Sequence, residues 1–231
     1  MKDAEKLAAR VARLLSKGGV VNYDQTKHVF RLVRKQLDLS PPKRRGRETV
    51  KRIPSEDLRR LLQYAQCNSA TRGLMVRTLY ETAVRVDEFV NLRMEHFLYE
   101  QRRIVVVSEK GDKRREVPLT ANLTGLLHLH NGDRSEGPLF QSRRGNKFTS
   151  RRIQQVVAQV AQDAGLATRV TPHLLRHTRA ADLVEAGMTR DQLRSILGHE
   201  RSSTSHIYTR TANVITPDTY EAAARIIQSR L

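Results

Sequence analysis

Two imidazoles and a guanidinium crowd one short stretch of this chain, Thr171-Pro172-His173-Leu174-Leu175-Arg176-His177. On a helix entered at Pro172, positions 173, 176 and 177 fall on one face. Burying such groups without partners is costly, so they do not build a core. At the amino end of a helix they converge on an anion, helped by the helix dipole. Ile196-Leu197-Gly198-His199 follows, then Ser205-His206-Ile207-Tyr208-Thr209-Arg210. A lone His or Tyr means little, but the ordered set His173, Arg176, His199 and Tyr208 lies within 36 residues. A zinc reading of His173 and His177, four apart, is the weaker one: no Glu lies between them and Cys67 is remote, so no metal is expected.

Elements must hold these groups in place. Leu7, Ala8, Val11, Leu14 and Leu15 recur at helical spacing before Gly18-Gly19, and Asn22 can cap a second helix carrying Val29, Leu32, Val33 and Leu37. Ser40-Pro41-Pro42 breaks the pattern and Lys43-Arg44-Arg45-Gly46-Arg47 follows, a proline-then-basic segment that predicts a domain boundary. The expectation is a short helical lobe over 1–40, a basic linker over 41–54 and a larger domain over 55–231. Ser55 is expected to cap a helix through Leu58, Leu61, Leu62 and Ala65, with Glu56 and Asp57 suiting its dipole. A further helix covers about 69–83. The runs 103–108 and 114–119, on either side of Gly111-Asp112, predict a hairpin or small meander closed at an edge by Pro118. Past Ala121 the chain reads as helical again, apart from Pro138-Leu139-Phe140. The signals are 150–164 ended by Gly165, Thr171-Pro172 with Gly187 as terminator, a capping box from Thr189 to Gln192, and a last helix over 216–230. The fold class is mainly α with a small antiparallel β-sheet.

Composition narrows what such a fold meets. Lysine plus arginine total 42 against 24 acidic residues, a formal charge of +18, and 32 of the cations are Arg. Arginine suits planar, bidentate contact with phosphate. Charge gathers at the amino end: residues 1–60 hold 17 basic and 7 acidic side chains, residues 61–231 hold 25 and 17. The expected partner is a polyanion, and the most economical one is nucleic acid. With no Trp and 5% aromatics, base stacking does not dominate binding. One cysteine excludes an intrachain disulfide framework and a Cys-rich zinc site. No apolar stretch approaches the roughly 20 residues that cross a bilayer. The amino end lacks a signal-peptide core. A cytoplasmic protein, associated with the nucleoid through DNA and without membrane contact, is expected.

His173-Leu174-Leu175-Arg176-His177, Leu197-Gly198-His199 and Tyr208 together resemble the carboxyl-terminal motif of the tyrosine recombinase, or integrase, family. Thr82-Ala83-Val84-Arg85-Val86-Asp87-Glu88 resembles that family's first-arginine motif, and Ser108-Glu109-Lys110-Gly111-Asp112-Lys113-Arg114 its hairpin-lysine segment. The four motifs keep the family's order over about residues 50–215. The resemblance implies a mostly helical catalytic domain after a reduced core-binding lobe. It also implies a site-specific recombinase that cuts and rejoins DNA through a 3′-phosphotyrosine, without metal or nucleotide cofactor. Double-stranded DNA is the implied partner, bound by a homodimer on a core site and a homotetramer in synapsis.

The chemistry asks for these residue types. A tyrosine hydroxyl, with a reference pKa of about 10, is a weak nucleophile until an electropositive site deprotonates it. In-line attack on a phosphodiester builds charge on the non-bridging oxygens, which guanidinium and imidazole donors must bear. Arg85, Arg176 and His199 fit that role. His173 would accept or orient the tyrosine proton, and Lys110 would protonate the leaving 5′ oxygen, with Lys113 as the alternative. Glu88 is expected to orient a catalytic His or Arg. Taken alone, Arg85 also reads as an ion pair with Glu81 or Glu88. His177 and His206 are read as structural partners. Tyr23, Tyr64, Tyr80, Tyr99 and Tyr220, without a comparable His/Arg neighbourhood, are read as structural.

Lys43, Arg44, Arg45 and Arg47 are expected to contact phosphate where the linker crosses the duplex, as are Arg143, Arg144, Arg151 and Arg152. Two rival readings remain at this level. Residues 179–199 also read as the helix-turn-helix of a non-catalytic regulator, and the same chemistry on a monomer would give type IB topoisomerase-like relaxation. The carboxyl-terminal helix could pack in its own domain or on a neighbouring subunit.

Overall fold

The structure, a computed structural model, describes residues 2–20, 22–37, 52–68, 70–108, 114–198 and 215–231. The chain divides into two compact units, Met1–Thr49 and Val50–Leu231. The first holds α1 (Lys2–Lys17) and α2 (Tyr23–Gln36). Gly18 and Gly19 end α1, Gly19 at φ +75° where a side chain would be strained. Asn22 Oδ1 accepts from the Gln25 amide at 2.9 Å and so caps α2. None of the described side chains of this unit is fully buried, as expected of a piece too small for a core of its own.

The second unit begins with α3 (Ser55–Asn68) and α4 (Ala70–Thr82), then the short α5 (Val86–Val90) and a 3₁₀ turn at Met94–His96. Three strands follow, β1 (Phe97–Leu98), β2 (Arg103–Val107) and β3 (Arg114–Pro118). They form an antiparallel sheet in the order β1-β2-β3, with Ile104 opposite Val117 and Arg103 opposite Pro118. The helices α6 (Ala121–Asn131), α7 (Ser150–Asp163), α8 (Pro172–Glu185), α9 (Arg190–Leu197) and α10 (Pro217–Gln228) complete it. The mainly helical reading with a small antiparallel sheet holds, and Pro118 does end an edge strand, where its missing N–H costs no ladder bond.

α4 is the core helix. Met75, Val76, Leu79 and Tyr80 are buried within it, and it packs on α3, α6, α7 and α8. Gly73 lets α3 come close: a Cβ there would lie 1.7 Å from the Ala65 carbonyl oxygen. α7 turns Ile153, Val156, Val157 and Val160 inward, the spacing of one apolar stripe. The capping signals are met at Thr171, Thr189 and Thr216, whose hydroxyls accept from the Leu174, Gln192 and Thr219 amides at 3.1, 3.3 and 3.1 Å. Ser55 departs from expectation: it is the first helical residue, and the Pro54 carbonyl takes the Leu58 amide instead.

α10 packs on its own chain. Tyr220 is buried, its hydroxyl donates to the Glu81 carbonyl, and it accepts from Arg179 Nη2 at 2.9 Å. Arg179 itself is buried between the rings of Tyr80 and Tyr220, 5.1 Å from each centroid. Burial works against its charge, but the Tyr220, Tyr80 and Glu81 oxygens outweigh that and raise its pKa. Tyr80 and Tyr220 therefore do have an arginine neighbour, contrary to the sequence reading. Both keep structural roles, with Tyr80 donating to Asp182 at 2.7 Å.

Candidate active site

The site starts where α4 ends. Ala83 takes a left-handed backbone, φ +51°, and its carbonyl oxygen accepts from Arg176 Nη1 at 2.6 Å. An Ala held there is uncommon and mildly strained. Arg85 follows in extended conformation at the start of α5, and Glu88, one turn on, reaches back so that Oε2 accepts the Arg85 amide at 2.8 Å. An acid in the first turn of α5 thus satisfies an otherwise orphan donor at its start.

Glu88 is the hub. It is 4% exposed, and Arg115 of β3 grips it with both prongs, Nη1 to Oε1 at 2.8 Å and Nη2 to Oε2 at 2.7 Å. Arg85 Nη1 lies 3.3 Å from Oε1 and Arg176 Nη1 3.9 Å from Oε2. Arg85 alone of the three is half-exposed, so its guanidinium is the one that opens to solvent. The end of α9 supplies the remaining acceptors. Its last carbonyls have no helical partner, and those of Ile196 and Leu197 accept from Arg115 Nε and Arg176 Nη2, both at 2.7 Å. Gly198 then caps α9 in the left-handed conformation.

Three guanidinium groups around one carboxylate leave an excess of positive charge. Burial pushes the Glu88 carboxyl up, but the Arg115 fork and the Arg85 amide and cation prevail and hold it below the usual range. Burial and the Arg85 charge lower Arg176 to about 10, with Glu88 pulling the other way. Such a pocket favours an anion with several oxygens. One turn before Arg176 on α8, His173 meets His177, Nε2 to Nε2 at 2.7 Å. One imidazole donates and the other accepts, so the pair shares a proton. Burial, His173 and Arg176 together lower the His177 pKa. Among the described residues no three His, Cys, Asp or Glu side chains gather as a metal site.

Of the residues picked from sequence, Arg85 and Arg176 meet at Glu88, and His173 stands one turn from Arg176. Arg85 pairs with Glu88; Glu81 instead accepts from Arg77 Nε at 2.7 Å and from the Thr120 hydroxyl at 2.7 Å. Arg143 and Arg144 are exposed in the turn bridged by Gln141 and Lys147, and Arg151 and Arg152 are exposed at the start of α7. That start is tied to α5 by the Ser150 hydroxyl on Asp87 at 2.5 Å. Lys110, His199 and Tyr208 lie outside the described residues, as do Lys113, His206, Lys43, Arg44, Arg45 and Arg47. The helix–turn–helix segment exists as α8, a turn and α9, but the α9 end serves the arginine cluster.

Arg115 was missed. Its signal is faint: on β3 it shares a face with buried Val117, so alternation places a cation on the core side of a strand.

Comparison with known proteins identifies the family of this fold. The Phage integrase family pattern matches residues 51–213. Tyrosine recombinase XerA of Thermococcus kodakarensis is 33% identical over 177 residues, covering 74% of this chain and 62% of that protein. The chain spans about three fifths of the length of the curated relatives it matches. The crystal structure of XerA recombinase superimposes with a TM-score of 0.61 at 26% identity, covering 94% of this chain and 79% of that one. A lambda integrase tetramer bound to a Holliday junction shares the fold with a TM-score of 0.54 at 16% identity, over 79% and 58% of the two chains. With the family pattern matched over residues 51–213, well over half of the sequence, this chain belongs to the phage integrase family.

Proposed function

We propose that this chain is a site-specific recombinase that cleaves and rejoins double-stranded DNA through a 3′-phosphotyrosyl link at Tyr208. The observation that carries the proposal is the pairing of Arg85 and Arg176 on one buried carboxylate, with positive charge in excess. The scissile phosphate takes the open side of that pair, its non-bridging oxygens facing guanidinium donors as charge develops. Arg176 is held from behind by two carbonyls, which leaves its remaining N–H groups for the phosphate. His199 adds an imidazole donor. His173, whose ring shares a proton with His177, accepts or orients the Tyr208 proton. Lys110, or Lys113 beside it, protonates the leaving 5′ oxygen. A free 5′ hydroxyl of another strand reverses the step, so the energy of the broken bond is kept in the covalent link.

Arg143, Arg144, Arg151 and Arg152 then contact backbone phosphate, joined by Lys43, Arg44, Arg45 and Arg47 from the linker. The shared fold with lambda integrase, seen as a dimer on a core site and as a tetramer on a Holliday junction, supports a dimer on each core site and a tetramer in synapsis. A duplex nicked just downstream of the cleavage point tests this: the short fragment bearing the free 5′ hydroxyl diffuses away, and without it the adduct cannot be resealed. Wild type is expected to yield a protein–DNA species that survives denaturation. Tyr208→Phe should yield none while binding DNA nearly as well, and an adduct persisting in that variant sinks the nucleophile assignment.

A further inference from the structure

We infer that Arg115 is a positioning residue for strand cleavage: it occupies the Glu88 carboxylate so that Arg85 and Arg176 stay available to the phosphate. The inference rests on the recombinase reading above and adds a residue to it. Arg115 is not placed to touch DNA itself. Its side chain is largely buried, Nη1 and Nη2 are spent on the two oxygens of Glu88, and Nε is spent on the Ile196 carbonyl. That fork is the strongest geometry a carboxylate can meet.

The two other cations pair with Glu88 less closely than the fork does, Arg85 Nη1 through one long hydrogen bond of 3.3 Å and Arg176 Nη1 at 3.9 Å. Take the fork away and the buried carboxylate keeps only the Arg85 amide on Oε2 and the long Arg85 Nη1 contact on Oε1, a costly shortage of donors. The cations within reach are Arg85 and Arg176, the two assigned above to the phosphate. Arg85 and Arg176 would then close onto Glu88, and the pocket would lose both its free donors and its excess charge. The Ile196 carbonyl would be freed too, one residue before the Leu197 carbonyl that fixes Arg176.

A second observation points the same way. Gly198 abuts the Arg115 guanidinium so closely that a Cβ would stand 2.9 Å from Nη1 and 3.1 Å from Cζ. The backbone at Gly198 is thus shaped around Arg115.

The test compares full-length wild type, Arg115→Met, and the double variant Glu88→Gln/Arg115→Met, in which both buried charges are gone. Single-turnover adduct formation is measured on the nicked duplex at saturating DNA, with DNA affinity measured alongside. Arg115→Met is expected to slow cleavage roughly 10²-fold, like loss of an anion-stabilising donor, with affinity changed by no more than about threefold. The double variant should recover at least about tenfold of that loss, since no orphan acid remains to capture Arg85 and Arg176. A substrate with a neutral methylphosphonate at the scissile position supplies a readout that general loosening would not move. With less charge to balance, the Arg115→Met penalty should shrink to about threefold or less.

Wild-type cleavage by Arg115→Met, a double variant no faster than the single one, or equal penalties on the two substrates would each overturn the inference. If Arg115→Met does not fold, the double variant decides: a rate above about one tenth of wild type supports it and a lower rate overturns it. Absence of adduct from wild type would instead strike the recombinase reading.

Discussion

Arg176 and Arg85 each make the other's charge more costly, which is part of why Arg176 drops to about 10. An anion seated between them relieves that repulsion. Sulfate or phosphate is therefore expected to raise the melting temperature, by an amount equivalent to about 2.7 kcal/mol at a hundred times its dissociation constant. Arg85→Ala should abolish this shift and, on nicked DNA, slow cleavage roughly 10²–10³-fold. Unchanged anion stabilisation in Arg85→Ala would contradict the arrangement. Glu88 gives a pH dependence of known sign. Its carboxyl is held low in the folded state, so its stabilisation is complete above the unfolded value, about 4.3, and is lost as pH falls below it. Thermal unfolding of wild type should fall more steeply than that of Glu88→Gln as pH drops below about 4.3. At this scale the sequence was informative where residue type and helical spacing coincide, as for Arg176 beside His173. It was silent on Arg115, because a cation flanked by Lys113, Arg114 and Glu116 looks like an ordinary solvated strand edge.

α8, α9 and α10 were legible because each begins with a threonine whose hydroxyl caps it, a local interaction written in adjacent residues. β1 and α5 were not: two and five residues are too few to display a period. α5 is held by contacts distant in sequence, Glu88 with Arg115 and Asp87 with Ser150. Gly198 is an element-level test of how α9 meets the site. At φ +64°, and with Arg115 against it, Gly198→Ala should cost about 1–2 kcal/mol in denaturant unfolding from the backbone alone. It should also slow adduct formation, since the added methyl must displace Arg115. An alanine variant as stable and active as wild type would show that the contact is slack.

Across the whole molecule the charge of +18 sets how binding responds to salt. About six phosphate contacts would make affinity fall roughly as the fifth power of salt concentration, and a flat response in a titration series would contradict the basic contacts. The integrity of the second unit depends on the cation enclosed by Tyr80 and Tyr220. Tyr220→Phe removes the oxygen that accepts from Arg179, and leaving a buried cation short of an acceptor should cost about 1–3 kcal/mol in denaturant unfolding. α10 is also fixed by Arg102 on Asp218, and the Ile215 carbonyl before it accepts from Arg103 Nη2 at 2.8 Å. These contacts belong to α10 and Ile215 themselves, so a break introduced ahead of Ile215 is expected to leave the tail bound, which co-elution of the two pieces under native conditions would check. With the break placed ahead of position 208, the carboxyl-terminal piece would become an exchangeable cartridge: a synthetic segment ending in α10, reloaded onto the remaining body, would carry whatever side chain the chemist chooses there.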